Sequence, residues 1–234
     1  MSRRLVHEIP IEVRRTQTDY FDPFVATPLR AMIRFGRWEE ILHEQKPASD
    51  LPMSKAMWHY ARGIAFAATD RVTQAEHEQL EFQNCRRAIP DTSMLHNNSS
   101  VKIAEIADAM LRREIAYRKK NYDHAFEDLR KAVALDDALN YDEPWGWIQP
   151  TRHALRALLL EQGQYLEAET DFRDDLKRLP KNPWALRGPV DCLAKRQSPE
   201  LALRQRELQE ATKRSDIEID RPCFCKSSCC SLAP

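Results

Sequence analysis

Only five of the 234 residues are glycine, which leaves little room for a loop whose bare backbone cradles a phosphate. An excess of charge of either sign is also missing: Lys plus Arg and Asp plus Glu are both 36, so the formal net charge is zero and the pI about 7.0. A nucleic-acid binder would carry a basic footprint, and this chain has none, so no nucleic-acid partner is expected. No apolar run approaches the roughly 18 to 20 residues of a membrane span, and the mean hydropathy is -0.64. The two arginines near the N-terminus, Arg3 and Arg4, are not followed by an apolar stretch of the secretory kind. Cytoplasmic residence is therefore the expectation. Gly-x-Ser-x-Gly and His-Glu-x-x-His are absent as well, which removes two common catalytic signatures and leaves catalysis an open question.

What is present favours helices. Aromatics make up 8%, and long stretches are rich in Ala, Leu, Glu, Arg and Lys, residues of high helix propensity. The six cysteines do not form a disulfide framework: Cys85 and Cys192 fall inside helical patterns, and Cys223, Cys225, Cys229 and Cys230 crowd the tail. The expected class is all-α.

A periodicity longer than one helix runs along the chain. Gly36 is placed to close a turn between two helices, and Gly63, 27 residues on, to mark a tight helix contact in the next unit. Small or apolar residues expected to start each second helix, Ile41, Ala75, Ala125, Ala168 and Ala202, are spaced 34, 50, 43 and 34. The two longer intervals exceed 34 by 16 and 9, and both surpluses coincide with loop-type sequence, Pro90 to Ser100 and Asp136 to Pro150. Insertions of this kind belong in loops.

From Pro150 to Pro180, the residues Leu155, Leu159, Gly163, Tyr165, Ala168, Phe172 and Pro180 stand at the packing, turn and terminator places of a tetratricopeptide repeat (TPR), whose period is ~34 residues. This segment resembles a TPR closely. Tyr122, Ala125, Leu129 and Ala132 repeat its second half, with Arg113 where the family prefers glycine, and Trp184 and Gly188 match more loosely with Pro189 behind them. Arg34-Phe35-Gly36-Arg37-Trp38, His59-Tyr60-Ala61-Arg62-Gly63, Tyr141-Asp142-Glu143-Pro144-Trp145 and the ending Asp216-Ile217-Glu218-Ile219 with Cys223-Phe224-Cys225 resemble the C-terminal half of longer, uncharacterised TPR proteins. The resemblance implies a right-handed α-solenoid of antiparallel helix pairs over 27–211, flanked by an irregular N-terminal arm, 1–26, and a Cys-rich tail, 212–234.

In such a solenoid the first helix of each pair lines a concave groove, which here implies Arg30, Arg34, Tyr60, Glu114, Tyr117, Arg118 and His153 as groove-facing residues. The set is mixed polar and aromatic, suited to a peptide or a small polar ligand. The Lys/Asn/Arg clamp of chaperone-adaptor TPRs is missing, because Tyr60 and Ile64 stand where its Lys and Asn would fall. The insertion 141–150 adds Asp142, Glu143 and Trp145, which could hold a cation; alternatively, Trp145 and Trp147 plug the gap that the insertion opens while an acid caps the next helix. His59 is either a satisfied inter-helix histidine or a ligand, and His96 in the other insertion could approach Asp142 and Glu143. The four tail thiols, Cys223, Cys225, Cys229 and Cys230, suit a soft metal, reversible oxidation or palmitoylation, but lack the paired spacing of structural zinc sites.

Two functions compete on these residues. The first is a scaffold binding a peptide or partner protein in its groove, which requires no cofactor. The second is a metal-dependent enzyme or metal-binding protein, which would draw a divalent or soft metal ion to His59, His96, Asp142, Glu143 and the tail cysteines. Convergence of those side chains in one pocket separates them.

Overall fold

The computed structural model describes residues 2–8, 10–143, 145–149, 151–168, 182–217 and 219. These are mostly helical, and no described helix is long and apolar enough to cross a membrane. The chain divides into two compact units, Met1–Gln149 and Pro150–Pro234.

In the first unit, α1 (Ser2–Glu8), α2 (Ile11–Thr16) and α3 (Thr18–Val25) precede three helix pairs. The pairs are α4 (Thr27–Arg34) with α5 (Trp38–His43), α6 (Pro52–Ala68) with α7 (Val72–Arg86), and α8 (Ser100–Arg118) with α9 (Tyr122–Asp137). The second unit holds α10 (Thr151–Glu161), a helical stretch at 165–168, α11 (Pro183–Lys195) and α12 (Leu201–Thr212). Proline at the first helical position starts α6 and α11, where its missing N–H costs nothing. Ser99 caps α8 by accepting from the Val101 amide, and Asn182 caps α11 by accepting from the amides of Trp184 and Ala185.

The same turn recurs five times. Gly36, Asp70, Lys120, Gly163 and Gln197 have φ of 64°, 58°, 61°, 74° and 51°, the left-handed conformation that ends a helix. In each, the left-handed residue's amide donates three residues back, as Gly36 does to the Ile33 carbonyl and Lys120 to that of Tyr117. The following amide donates five back, as Arg37 does to Met32 and Asn121 to Ala116. These are Schellman closures, and the five sit at the intervals of 34, 50, 43 and 34 residues carried by the sequence ruler. Five residues beyond each closure, Ile41, Ala75, Ala125 and Ala168 are fully buried, whereas Ala202, in the last described helix, is exposed.

Within the first unit each helix packs on its hairpin partner, and in addition α4 packs on α6, α6 on α8, α5 on α6 and α7 on α8. Gly63 allows a close approach: a Cβ there would stand 2.8 Å from Leu111 Cδ1 of α8 and 3.5 Å from Glu78 Cβ of α7. Its counterpart one pair on, Arg113, is buried and pairs with Glu114 at 2.5 Å. In the second unit α10 packs on α11 and α11 on α12.

Two features depart from the sequence expectation. Within residues 1–26, read as irregular, three short helices form, and Asp22 fastens the third of them, α3, to the repeat unit. Its carboxylate accepts from the Met53 amide at 2.7 Å and the Ser54 amide at 2.9 Å, and Ser54 Oγ donates to the Asp22 carbonyl at 2.8 Å. Helix α6 has no side-chain cap of its own, so α3 supplies one. Burial pushes the Asp22 carboxyl up, against the pull of its Ser54 and Met53 donors. The insertion 90–100 contains a small antiparallel hairpin, Met94–Leu95 with Asn98–Ser99, turned at His96 with φ 53°. Phe172 and Pro180, expected to pack and terminate a repeat, lie outside the described residues.

Candidate functional site

The two insertions meet. Asp142 accepts from the Asn97 amide at 3.1 Å and from Asn98 Nδ2 at 2.6 Å, and Asn98 Oδ1 accepts from the Asn140 amide at 2.8 Å. Asn97 Nδ2 and Asn140 Nδ2 complete the seam on the Tyr141 and Asn97 carbonyls. Gly146 lies against this seam, where a Cβ would come within 3.2 Å of Asn98 Nδ2 and 3.4 Å of Asp142 Oδ2. Trp145 donates to Asp136 of α9 at 3.1 Å.

From there the loop reaches the first helices of the first two pairs. Arg30 of α4 donates from Nη1 to the Gly146 carbonyl at 2.8 Å, and Gln149 Nε2 donates to the Arg30 carbonyl at 3.2 Å. Tyr60 of α6 donates to Gln149 Oε1 at 3.3 Å, and its ring centroid stands 5.7 Å from that of Trp147. Trp147 is 1% exposed and Tyr60 0%. Two of the expected groove residues are therefore covered by the chain's own loop, in a closed ring of contacts through Arg30, Gly146, Trp147, Tyr60 and Gln149.

Burial governs the electrostatics of this ring. It pulls the Arg30 guanidinium down to about 10, since the charged form has lost its water. Burial also raises the Tyr60 phenol, with Arg113 opposing and Glu114 adding to the shift. Both groups keep their ordinary charge state at neutral pH.

The other expected groove residues are placed as follows. Glu114 is buried between Arg113 and Arg118, the latter bonded through Nη2 at 2.8 Å, and Arg118 also faces Asp70 at 4.0 Å. The Tyr117 ring lies 5.1 Å from that of Tyr122, and Arg34 is half-buried on α4. His153 is buried in the second unit. The structure thus joins Arg30 to Tyr60, through Gln149, by contacts that local periodicity does not contain, whereas the Glu114–Arg118 pair is the i,i+4 contact of a single helix. Arg113, Asn98, Gly146 and Gln149 were not singled out as site residues; their only signal is membership of an insertion or of a repeat position.

Among the described residues the candidate metal ligands do not converge. His59 Nδ1 bonds Glu78 Oε2 at 2.7 Å, and Arg62 Nε donates to Glu78 Oε1 at 2.7 Å. Burial opposes ionisation of Glu78, but the His59 and Arg62 hydrogen bonds and the Arg62 charge outweigh it and hold the carboxyl below its usual range. His96 packs edge-on against Phe24 with centroids 4.8 Å apart, Asp142 is engaged by the asparagines, and Glu143 accepts from the Tyr141 hydroxyl. Among the described residues no group of three or more His, Cys, Asp or Glu is placed to hold a metal ion. Cys223, Cys225, Cys229 and Cys230 lie outside the described residues.

No protein-family model matches the chain, and comparison with curated proteins and with solved structures returns no significant match.

Proposed function

We propose that the chain is a TPR-type helical-repeat scaffold that binds a peptide or partner protein along the face made by its first helices, α4, α6 and α8. The observation that carries this reading is the use to which that face is already put. Arg30 and Tyr60, on the first helices of successive pairs, engage a non-helical segment through its backbone carbonyl at Gly146, its indole at Trp147 and its amide at Gln149. A face that grips loop backbone and one aromatic anchor has the chemistry of peptide recognition. The recurrent Schellman closures and the packing of α4 on α6 and α6 on α8 support the repeat arrangement.

On this reading Arg34, half-buried on α4, extends the same face beyond the loop and supplies a polar contact to the partner. The test is to pan a displayed random-peptide library against the purified full chain, then titrate the selected peptides calorimetrically into wild type, Arg34→Ala and Arg34→Glu. Affinity should drop roughly tenfold or more in at least one variant, as expected for a contact in the binding face. Peptides that bind both variants as tightly as wild type would place recognition elsewhere and end this reading.

A further inference from the structure

Arg30 is 3% exposed, and among the described residues its side chain makes one hydrogen bond, from Nη1 to the Gly146 carbonyl. No carboxylate faces it among the described residues, and Nε has no acceptor. The next residue of the loop, Trp147, is 1% exposed and its indole N–H also lacks an acceptor among the described residues. Native interiors leave few such donors unmet, and a buried charge without a counter-charge costs more than a buried neutral group. Nothing else in the ring can serve: Tyr60 and Gln149 satisfy each other and the Arg30 carbonyl, while Glu114, the acid near Tyr60, is engaged by Arg113 and Arg118.

Both orphaned groups are donors only, so they call for an acceptor, and the positive charge of Arg30 calls for an anion. With Nη1 committed to Gly146, the free edge of the guanidinium is the one formed by Nε and Nη2. That edge presents two parallel N–H bonds, the spacing that matches the two oxygens of a planar carboxylate. We propose that the ring of Arg30, Gly146, Trp147, Tyr60 and Gln149 is a binding site for a small carboxylate ligand. Arg30 takes the carboxylate side-on, the Trp147 N–H supplies a further donor, and the loop closes over it. The inference rests on the packing around Arg30 and does not require the scaffold reading.

The experiment uses the full chain at low ionic strength, with acetate and succinate as probes and inorganic phosphate as the tetrahedral control. A tripeptide with a free or an amidated C-terminus separates a free acid from a peptide end. Saturable heats and a raised thermal midpoint are expected with acetate or succinate, and phosphate should bind less tightly. Arg30→Met, which keeps the buried stem and removes a buried charge, should fold with an unchanged circular dichroism spectrum and lose carboxylate affinity roughly 10- to 100-fold. Trp147→Phe keeps a ring against Tyr60 and should lose several-fold through the missing N–H alone. A free-ended tripeptide that displaces acetate, with its amide inert, supports the same chemistry delivered by a peptide. Absence of saturable binding by every carboxylate up to about 10 mM, equal binding by folded Arg30→Met, or a preference for phosphate would overturn the proposal.

Discussion

Replacing Asp22 by alanine tests whether the N-terminal helices belong to the repeat unit or merely precede it. The carboxylate of Asp22, on α3, satisfies the amides of Met53 and Ser54 in the first turn of α6, and all three residues are buried, at 2%, 1% and 0% exposure. Loss of an N-cap acceptor costs about 0.5–2 kcal/mol. Here two amides lose their acceptor at once in a site closed to bulk water, and each unsatisfied buried donor adds about 1–3 kcal/mol. The deleted carboxylate leaves room on the order of one water molecule, which would restore part of one bond. A net loss of about 2–3 kcal/mol follows, equivalent to roughly 1 M in urea midpoint at an ordinary denaturant slope. Urea unfolding followed at 222 nm would report the loss. Native-state amide exchange would localise it, with Met53 and Ser54 exchanging faster in the variant while the amides of α9 keep their relative protection. A midpoint unchanged within about 0.2 M, or equal protection of the two amides, would refute the capping argument and return residues 1–26 to the status of an appendage.

Other consequences concern the turns and the buried ion pair. Lys120 holds a left-handed conformation on an exposed surface, so Lys120→Gly should stabilise the first unit by about 0.5–1 kcal/mol, and Gly36→Ala at the equivalent closure should destabilise it by a similar amount. Thermal midpoints that move the same way in both variants would contradict this. Glu78 is held below its ordinary range, so its stabilising contribution is present above the unfolded value of about 4.3 and is lost as pH falls through the folded value. Glu78→Gln should therefore cost about 1–3 kcal/mol at neutral pH, with the gap to wild type closing as urea midpoints are followed down to about pH 3; a gap that stays constant over that range would show that the carboxylate charge contributes nothing.

Much of the local architecture could be read from the sequence. The intervals between Ile41, Ala75, Ala125, Ala168 and Ala202 located five helix closures, although only Gly36 and Gly163 among the five left-handed residues are glycine. The small residue entering each second helix carried the signal more evenly than the turn residue did, because Asp70, Lys120 and Gln197 tolerate the left-handed conformation at a modest cost. The tight approach at Gly63 was also readable, since a residue without a side chain has few other uses in mid-helix. The inter-helix role of His59, one of its two readings, needed the structure to supply Glu78 as its partner.

The sequence by itself determined where helices start, turn and pair, because those features depend on residues within a few positions of one another: the proline or asparagine that begins a helix, the residue that closes it, the period of buried alanines and leucines. Only the tertiary structure decided that Asp22 caps a helix beginning 30 residues later and that an insertion after α9 returns to cover Arg30 and Tyr60. Those contacts span separations of 31 to 119 residues. Their physical origin is the demand of buried donors for acceptors, which any of several loop residues can meet and which no local pattern assigns until the chain has brought one of them into place.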